Sequence, residues 1–280
     1  MNILSAINRA NNFLKLRGVN SSKLDCEILI SKVLKTNRSN IILNMNKNLT
    51  NDELSHFNDL INERSKKKPI AYLTGKKEFW KYKFHVTRDV LIPRPDTELI
   101  IEKVLELTTN KTSINLLDIG TGSGCIILSI LKEKNSFYGT GIDISKKSLK
   151  ICKINADNLG VINRLKLFES DIDNFRYGKY DLVISNPPYI KKLDLKYLEK
   201  DVIGYEPITA LNGGLDGLSE IRKVINGTAK LIKKKGFLIL EIGKDQTEKV
   251  KSILKEKGFF VKKIYKDLAR NNRCILSTKI

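Results

Sequence analysis

The chain has 280 residues, 41% hydrophobic and 29% charged, and its 51 Lys and Arg against 31 Asp and Glu give a net charge of +20. This is the composition of a globular protein with room for two domains. No apolar run reaches the roughly 18 residues of a membrane span. Met1 to Ile7 lack the basic start and long apolar core of a secretory signal, so a cytoplasmic location and no membrane association are expected.

The four cysteines (Cys26, Cys125, Cys152, Cys274) lie far apart without a C-x-x-C pair, and His56 and His85 are isolated. That spacing argues against a zinc site, a disulfide framework and a Ser-His-Asp triad, and no metal is expected. The basic charge is spread in short runs such as Lys66-Lys67-Lys68 and Lys233-Lys234-Lys235, which read as solvated faces. Nucleic-acid contact is compatible with such a surface but not required by it.

The first 75 or so residues read as helices. Asn2 to Leu16 places Ile3, Ile7, Phe13, Leu14 and Leu16 largely on one face. Ser21 and Ser22 precede a second helix, with Asp25 and Glu27 in its first turn, where they complement the helix dipole. Thr50-Asn51-Asp52-Glu53 is a capping-box pattern ahead of a third. Glu78 to Val86 is aromatic and alternating and predicts a hairpin. Leu91-Ile92-Pro93-Arg94-Pro95 reads as a rigid extended link, since each proline fixes its own φ and biases its predecessor. These signals predict a helical domain over 1–75, a hairpin and linker over 76–95, and a third region from 96 to 280. In that region, strands over Ile114–Ile119, Tyr138–Ile142, Leu165–Glu169, Leu182–Ser185, Gly236–Glu241, Phe259–Tyr265 and Arg273–Thr278 alternate in part with helices over Cys125–Lys134, Lys146–Leu159, Leu218–Ile232 and Gln246–Lys257. The rhythm predicts an α/β fold, an open, largely parallel Rossmann-like sheet covered by helices on both faces.

Asp118-Ile119-Gly120-Thr121-Gly122-Ser123-Gly124 ends one of these strands and opens a helix. Its glycines let the backbone turn tightly and approach a ligand closely. The spacing is G-x-G-x-G, and Cys125 stands where a dinucleotide fingerprint has its third glycine. Asp118 is placed to hold the loop amides or face the amino-acid part of a cationic ligand. Asp143 ends the next strand 19 residues after Gly124, where a carboxylate accepts hydrogen bonds from both ribose hydroxyls of a nucleoside. Asp171 and Ile172, after the third strand, fall near an adenine, one as an acceptor for its exocyclic amine and the other over the ring. Two carboxylates and no basic phosphate anchor suit S-adenosylmethionine, which carries no phosphate.

Asp181 to Tyr189 delivers Asn186-Pro187-Pro188-Tyr189 at the carboxyl edge of the sheet. Two prolines remove two backbone donors and stiffen the turn. The carbonyls and the Asn186 amide oxygen then form an array of acceptors for a planar NH₂ group. An amide or aromatic amine is a poor nucleophile because its lone pair is delocalised, and paired acceptors with fixed placement counter this. Tyr189 is expected to stack on the planar group. Asn186, Pro187 and Tyr189 are therefore the candidate catalytic residues, with Pro188 completing the grip on substrate.

With these motifs the chain resembles the release-factor glutamine methyltransferases, the HemK or PrmC family. The likeness extends over Leu91 to Glu98, the Asp118–Gly124 loop, Asp143, Asn186–Tyr189, Tyr205-Glu206-Pro207, Gly213 to Leu218 and Glu241-Ile242-Gly243. It implies that Gly120 to Gly124, Asp143, Ile172 and Asn186 line the cofactor site and that Asn186–Tyr189 hold the glutamine of a Gly-Gly-Gln loop in a peptide chain release factor. It also implies that Arg94 and Thr97 lie near the cofactor and that the helical domain recognises the factor; the chain is expected to act as a monomer. The sequence departs from the family at Ile172, which is often aromatic there, and at Arg270, where Asp-Leu-Ala-Gly is expected. The alternative is a methyltransferase acting on an exocyclic amine of adenine or guanine in nucleic acid, using the same acceptors on a flipped base.

Overall fold

The structure is a computed structural model describing residues 1–280. It divides into two compact units, the first comprising Met1–Lys76 with Glu199–Tyr205, the second Lys77–Leu198 with Glu206–Ile280. No helix is long and apolar enough to cross a membrane.

The first unit is a small helical bundle of α1 (Ile3–Leu16), α2 (Ser22–Val33), α3 (Arg38–Leu43), α4 (Asn51–Ser65) and α5 (Ile70–Thr74). The stripe that α1 buries is Ile3, Ala6, Ile7, Ala10 and Leu14; Leu16 is 88% exposed. At 100° per residue, Leu16 is turned about 200° from Leu14, so it cannot share the face assigned to it from the sequence. The capping box at Thr50 and Glu53 forms in both directions. Asp25 does more than complement a dipole: its buried carboxylate accepts from Arg64 Nε at 2.7 Å, across 39 residues of chain.

The second unit opens with a hairpin, β1 (Lys76–Phe79) and β2 (Tyr82–His85), turned by Trp80 at φ +56°. Helix α6 (Glu98–Leu107) follows; the sequence reading did not place it, although Ile100, Ile101 and Val104 are its buried stripe. Then come β3 (Asn115–Ile119), α7 (Cys125–Glu133), β4 (Tyr138–Asp143), α8 (Lys146–Leu159), β5 (Leu165–Glu169), β6 (Tyr180–Ser185), then in chain order the short α9 (Lys200–Ile203), which belongs to the first unit, and α10 (Ser219–Leu231), β7 (Ile232–Glu241), α11 (Thr247–Glu256), β8 (Phe259–Lys266) and β9 (Asn272–Lys279) of the second.

Seven strands form one sheet in the order β5-β4-β3-β6-β7-β9-β8, parallel except that β9 runs against both of its neighbours. Each face is apolar because successive side chains alternate. Leu116, Leu182 and Ile184 join the core with α6, α7 and α8, whereas Leu117, Val183 and Leu238 join the core with α10 and α11. The chain moves outward from β3 to β5, then returns to place β6 on the other side of β3. Strand order therefore reverses between β3 and β6, and the register pairs Ile119 with Ser185. The glycine loop after β3 and the Asn-Pro-Pro-Tyr segment after β6 thus emerge side by side at the edge where open α/β sheets bind ligands.

Candidate active site

A cavity of about 850 Å³ opens at this reversal, wholly within the second unit. Its size is within the roughly 300–1,000 Å³ usual for small-molecule sites. Gly120, Gly122, Asp143, Asp171, Ile172, Asn186, Pro187 and Pro188 all wall it; Asp118, Thr121, Ser123, Gly124 and Tyr189 do not.

The glycine loop has the conformation its composition implies. Gly120, Gly122 and Gly124 take φ of +73°, +55° and +80°, a region that costs other residues about 1–2 kcal/mol. Gly124 has no room for a side chain either, since a Cβ there would sit 2.6 Å from Cys152 Sγ. A Cβ on Gly120 would meet nothing within 4 Å, so bare backbone faces open cavity there. The loop is tied down from behind by Asn155, which donates to the Ser123 and His85 carbonyls and accepts from His85 N–H.

Asp143 lies on the cavity wall, with one carboxylate oxygen accepting from Gly122 N–H and the other from Ser145 N–H, each at 2.9 Å. Burial raises its pKa against the lowering effect of these two bonds. Each oxygen retains a second lone pair for a ligand hydroxyl. Asp118 does not reach the cavity wall, and the backbone N–H beside it is that of Ile127 in the first turn of α7. Asp118 is buried, it accepts from the Thr121 hydroxyl at 2.8 Å, and its Oδ1 has no partner. Burial pushes this carboxyl up to about 7, with the nearby Asp143 charge adding to the rise.

On the opposite wall, Ile172 is buried against α10 at Gly227, where a Cβ would come within 2.3 Å of Ile172 Cγ1. The glycine in mid-helix thus leaves the space that the branched Ile172 side chain fills. Asp171 caps the same turn by accepting from Asp173 N–H.

The Asn-Pro-Pro-Tyr segment is braced by partners distant in the sequence. The Asn186 side-chain NH₂ donates to the Thr97 hydroxyl at 3.2 Å. Gln246 donates to the carbonyls of Tyr189 and Gly217 and accepts from Gly243 N–H. Gly213 and Gly217 let their loop lie flat on this segment, since a Cβ at either would be within 2.8 Å of Tyr189 backbone. The Tyr189 carbonyl is therefore engaged, and the acceptor array contracts to the Asn186 side chain and the carbonyls before Tyr189. Tyr189 itself points away from the cavity: its hydroxyl donates to Glu241 Oε1 at 3.3 Å and accepts from Arg273 at 3.4 Å. Expected as a stacking surface, it stands here as a strut beneath the motif.

Two residues placed near the cofactor by resemblance, Arg94 and Thr97, do not wall the cavity. Arg94 forms an ion pair with the buried Glu206 at 2.5 Å, and Glu206 also accepts from Ile92 N–H, which fastens the proline link to the segment from Pro207 to Asn212 that closes one side of the cavity. Thr97 is buried behind Asn186.

Residues 5–75 match the PrmC N-terminal domain and residues 110–276 a methyltransferase domain. The release factor glutamine methyltransferase of Clostridium acetobutylicum is 39% identical over 282 residues, covering 100% of this chain and 99% of that protein. The protein of the same name from Caulobacter vibrioides is 32% identical over 280 residues, covering 100% and 97%. The chain belongs to the release factor glutamine methyltransferase family. Among solved structures, the 16S rRNA N2 G1207 methyltransferase of T. thermophilus, in complex with AdoMet and guanosine, matches with a TM-score of 0.53 at 17% identity over 73% of this chain and 50% of that one, a likeness of fold alone.

In this member of the family, Glu206, Gln246 and Arg273 join the site although no motif in the sequence assigned them a task. Glu206 lies in the Tyr205-Glu206-Pro207 run, but its partner Arg94 lies 112 residues earlier. Local spacing carries no sign of such a pairing.

Proposed function

We propose that this chain transfers a methyl group from S-adenosylmethionine to the side-chain amide nitrogen of the glutamine in the Gly-Gly-Gln loop of peptide chain release factors. The observation that carries it is the Asn186 amide on the cavity wall beside the glycine loop, its NH₂ engaged by the Thr97 hydroxyl, which leaves the amide oxygen to accept from a substrate. The residues present fit the cofactor: open backbone at Gly120 and a wall carboxylate at Asp143 suit a nucleoside without phosphate. When bound, the cofactor supplies an electrophilic methyl on a sulfonium centre. Asn186 Oδ1 and the carbonyls of the proline turn accept the two N–H bonds of a substrate amide, orient its nitrogen and hold electron density on it. Methylation leaves one surplus proton, which that acceptor array passes to solvent. Pro187 and Pro188 keep the turn rigid, so little reorganisation is needed at the moment of transfer.

The release factor, not a nucleic acid, is the substrate in this reading. The test incubates the enzyme with labelled cofactor and purified folded release factors, RNA and DNA. Mass spectrometry is expected to find one added methyl on the loop glutamine, with a rate that falls only modestly with salt. Label confined to nucleic acid, with binding falling by about 10³ between low and moderate salt as counterions are released, would overturn it. Asn186→Ala should slow transfer by about 10²–10³-fold while cofactor affinity holds.

A further inference from the structure

Glu241 ends β7 with its carboxylate buried beneath the Asn-Pro-Pro-Tyr turn. Its Oε1 accepts from the Tyr189 hydroxyl, and its Oε2 is buried without a partner of good hydrogen-bond geometry. The Thr97 hydroxyl lies beside this carboxylate, close enough to favour its charged form. The same Thr97 oxygen receives the Asn186 NH₂. A hydroxyl has one proton to donate and two lone pairs with which to accept. Because an amide NH₂ cannot accept, the Thr97 proton has to point elsewhere, and the carboxylate is the acceptor next to it.

We infer that Glu241 is a positioning residue for methyl transfer: by taking the Thr97 hydroxyl proton it obliges Thr97 to accept from Asn186, and so turns the Asn186 amide oxygen, not its NH₂, towards the substrate. The inference rests on Asn186 acting as the acceptor in the proposed reaction. The two ends of an asparagine amide are nearly equal in shape, so only the hydrogen-bond network decides between them. If Glu241 is neutral, its own proton satisfies Thr97, Thr97 is freed to donate to Asn186 Oδ1, and the amide rotates its NH₂ into the cavity. A donor there repels the substrate's N–H bonds.

The charged and titratable groups facing Glu241 are Tyr189 beyond β6, Asp96 on the turn before α6, Arg273 and Cys274 on β9, and Cys125 on α7. Burial raises the Glu241 carboxyl to about 7, while Thr97, Arg273 and Tyr189 oppose the rise. The acceptor orientation is therefore held above about pH 7 and lost as pH falls through that value.

The test compares wild type with Glu241→Gln, Thr97→Val and Thr97→Ser for kcat, cofactor affinity and pH profile, with a readout independent of turnover. That readout is the side-chain ¹⁵N–¹H resonances of Asn186, assigned by their loss in Asn186→Asp. Wild-type kcat should rise to a plateau above pH 7, and the Asn186 amide resonances of the ligand-free protein should titrate over the same range. Glu241→Gln and Thr97→Val should each lower kcat by about 10²-fold, the scale expected for a misplaced catalytic group, with cofactor affinity unchanged. Neither should show the titration, and Thr97→Ser should restore both. If Glu241→Gln does not fold, the valine and serine variants at Thr97 decide. Amide resonances that ignore pH in wild type, or a folded Thr97→Val with wild-type kcat, overturn the inference. A wild type that leaves the release factor unmethylated refutes the proposed function instead, and the resonances still report on the network.

Discussion

Replacing Asp118 by asparagine should stabilise the ligand-free protein more at pH 8 than at pH 5, by on the order of 3 kcal/mol. The side chain is 1% exposed, one oxygen accepts from Thr121, and the other has no partner. Burial raises its pKa from an ordinary 3.8 to about 7. The folded state therefore holds the proton more tightly than the unfolded one. Below pH 3.8 both states are neutral and no penalty exists. The penalty grows as pH rises from there to about 7 and is constant above it. Asparagine has no such term. Between pH 5 and pH 8 only the interval up to about 7 contributes, two pH units at about 1.4 kcal/mol each. The substitution also turns an NH₂ to where no acceptor lies, which costs about 1–3 kcal/mol, but equally at both pH values, so it cancels from the comparison. Urea unfolding of both proteins at pH 5 and pH 8 measures the difference directly. A stability change that is the same at the two pH values would show that Asp118 is ionised in the folded protein throughout, and the account of its burial would be wrong.

Asp143→Ala should weaken S-adenosylmethionine binding by about 1–3 kcal/mol, the usual loss for hydrogen bonds to a charged group; unchanged affinity by calorimetry in a folded variant would remove Asp143 from the site. Gly227→Ala should force Ile172 towards the cavity, with an overpacking cost of about 1–3 kcal/mol and weaker cofactor binding. Adding Ile172→Ala should recover stability, and failure to do so in thermal unfolding would disprove the contact as the cause. Arg270→Gly should raise the melting temperature by about 2 °C, because Arg270 holds φ +63°, a strain of about 1–2 kcal/mol that glycine avoids at some cost in unfolded-chain entropy. A lower melting temperature would mean the arginine side chain contributes more than its backbone loses.

The departure at Arg270 shows what a sequence carries and what it conceals. Asp-Leu-Ala-Gly reads as a motif until the backbone shows why glycine is expected in it: the turn from β8 to β9 needs one left-handed residue, with Arg270 N–H bonded to the Asp267 carbonyl. Features written in local spacing were legible in the same way. The strand-helix alternation, the positive-φ glycines of the loop after β3 and the Thr50 capping box all follow from periodicity or single-residue backbone preference. The helix from Glu98 to Leu107 is equally local, its buried positions repeating at helical spacing, but it follows directly on a proline-rich link that reads as extended.

The network behind Asn186 was illegible for a different reason. Thr97, Asn186, Glu241 and Arg273 come from four segments spread over more than half the chain, and each is polar in a context where polar residues are usually solvated. Only the strand order, which sets β6 between β3 and β7, puts the ends of these segments within hydrogen-bond reach. Burial then changes what each group does. Tyr189, aromatic and beside the substrate motif, reads as a stacking platform, but a buried phenol needs a partner for its hydroxyl, and Glu241 and Arg273 draw it under the sheet edge. Residues that wall the cavity, such as Gly120, Asp143 and Asn186, stand in motifs that a sequence displays. Residues that aim them are found only when the fold brings distant polar groups together and leaves one proton with a single place to go.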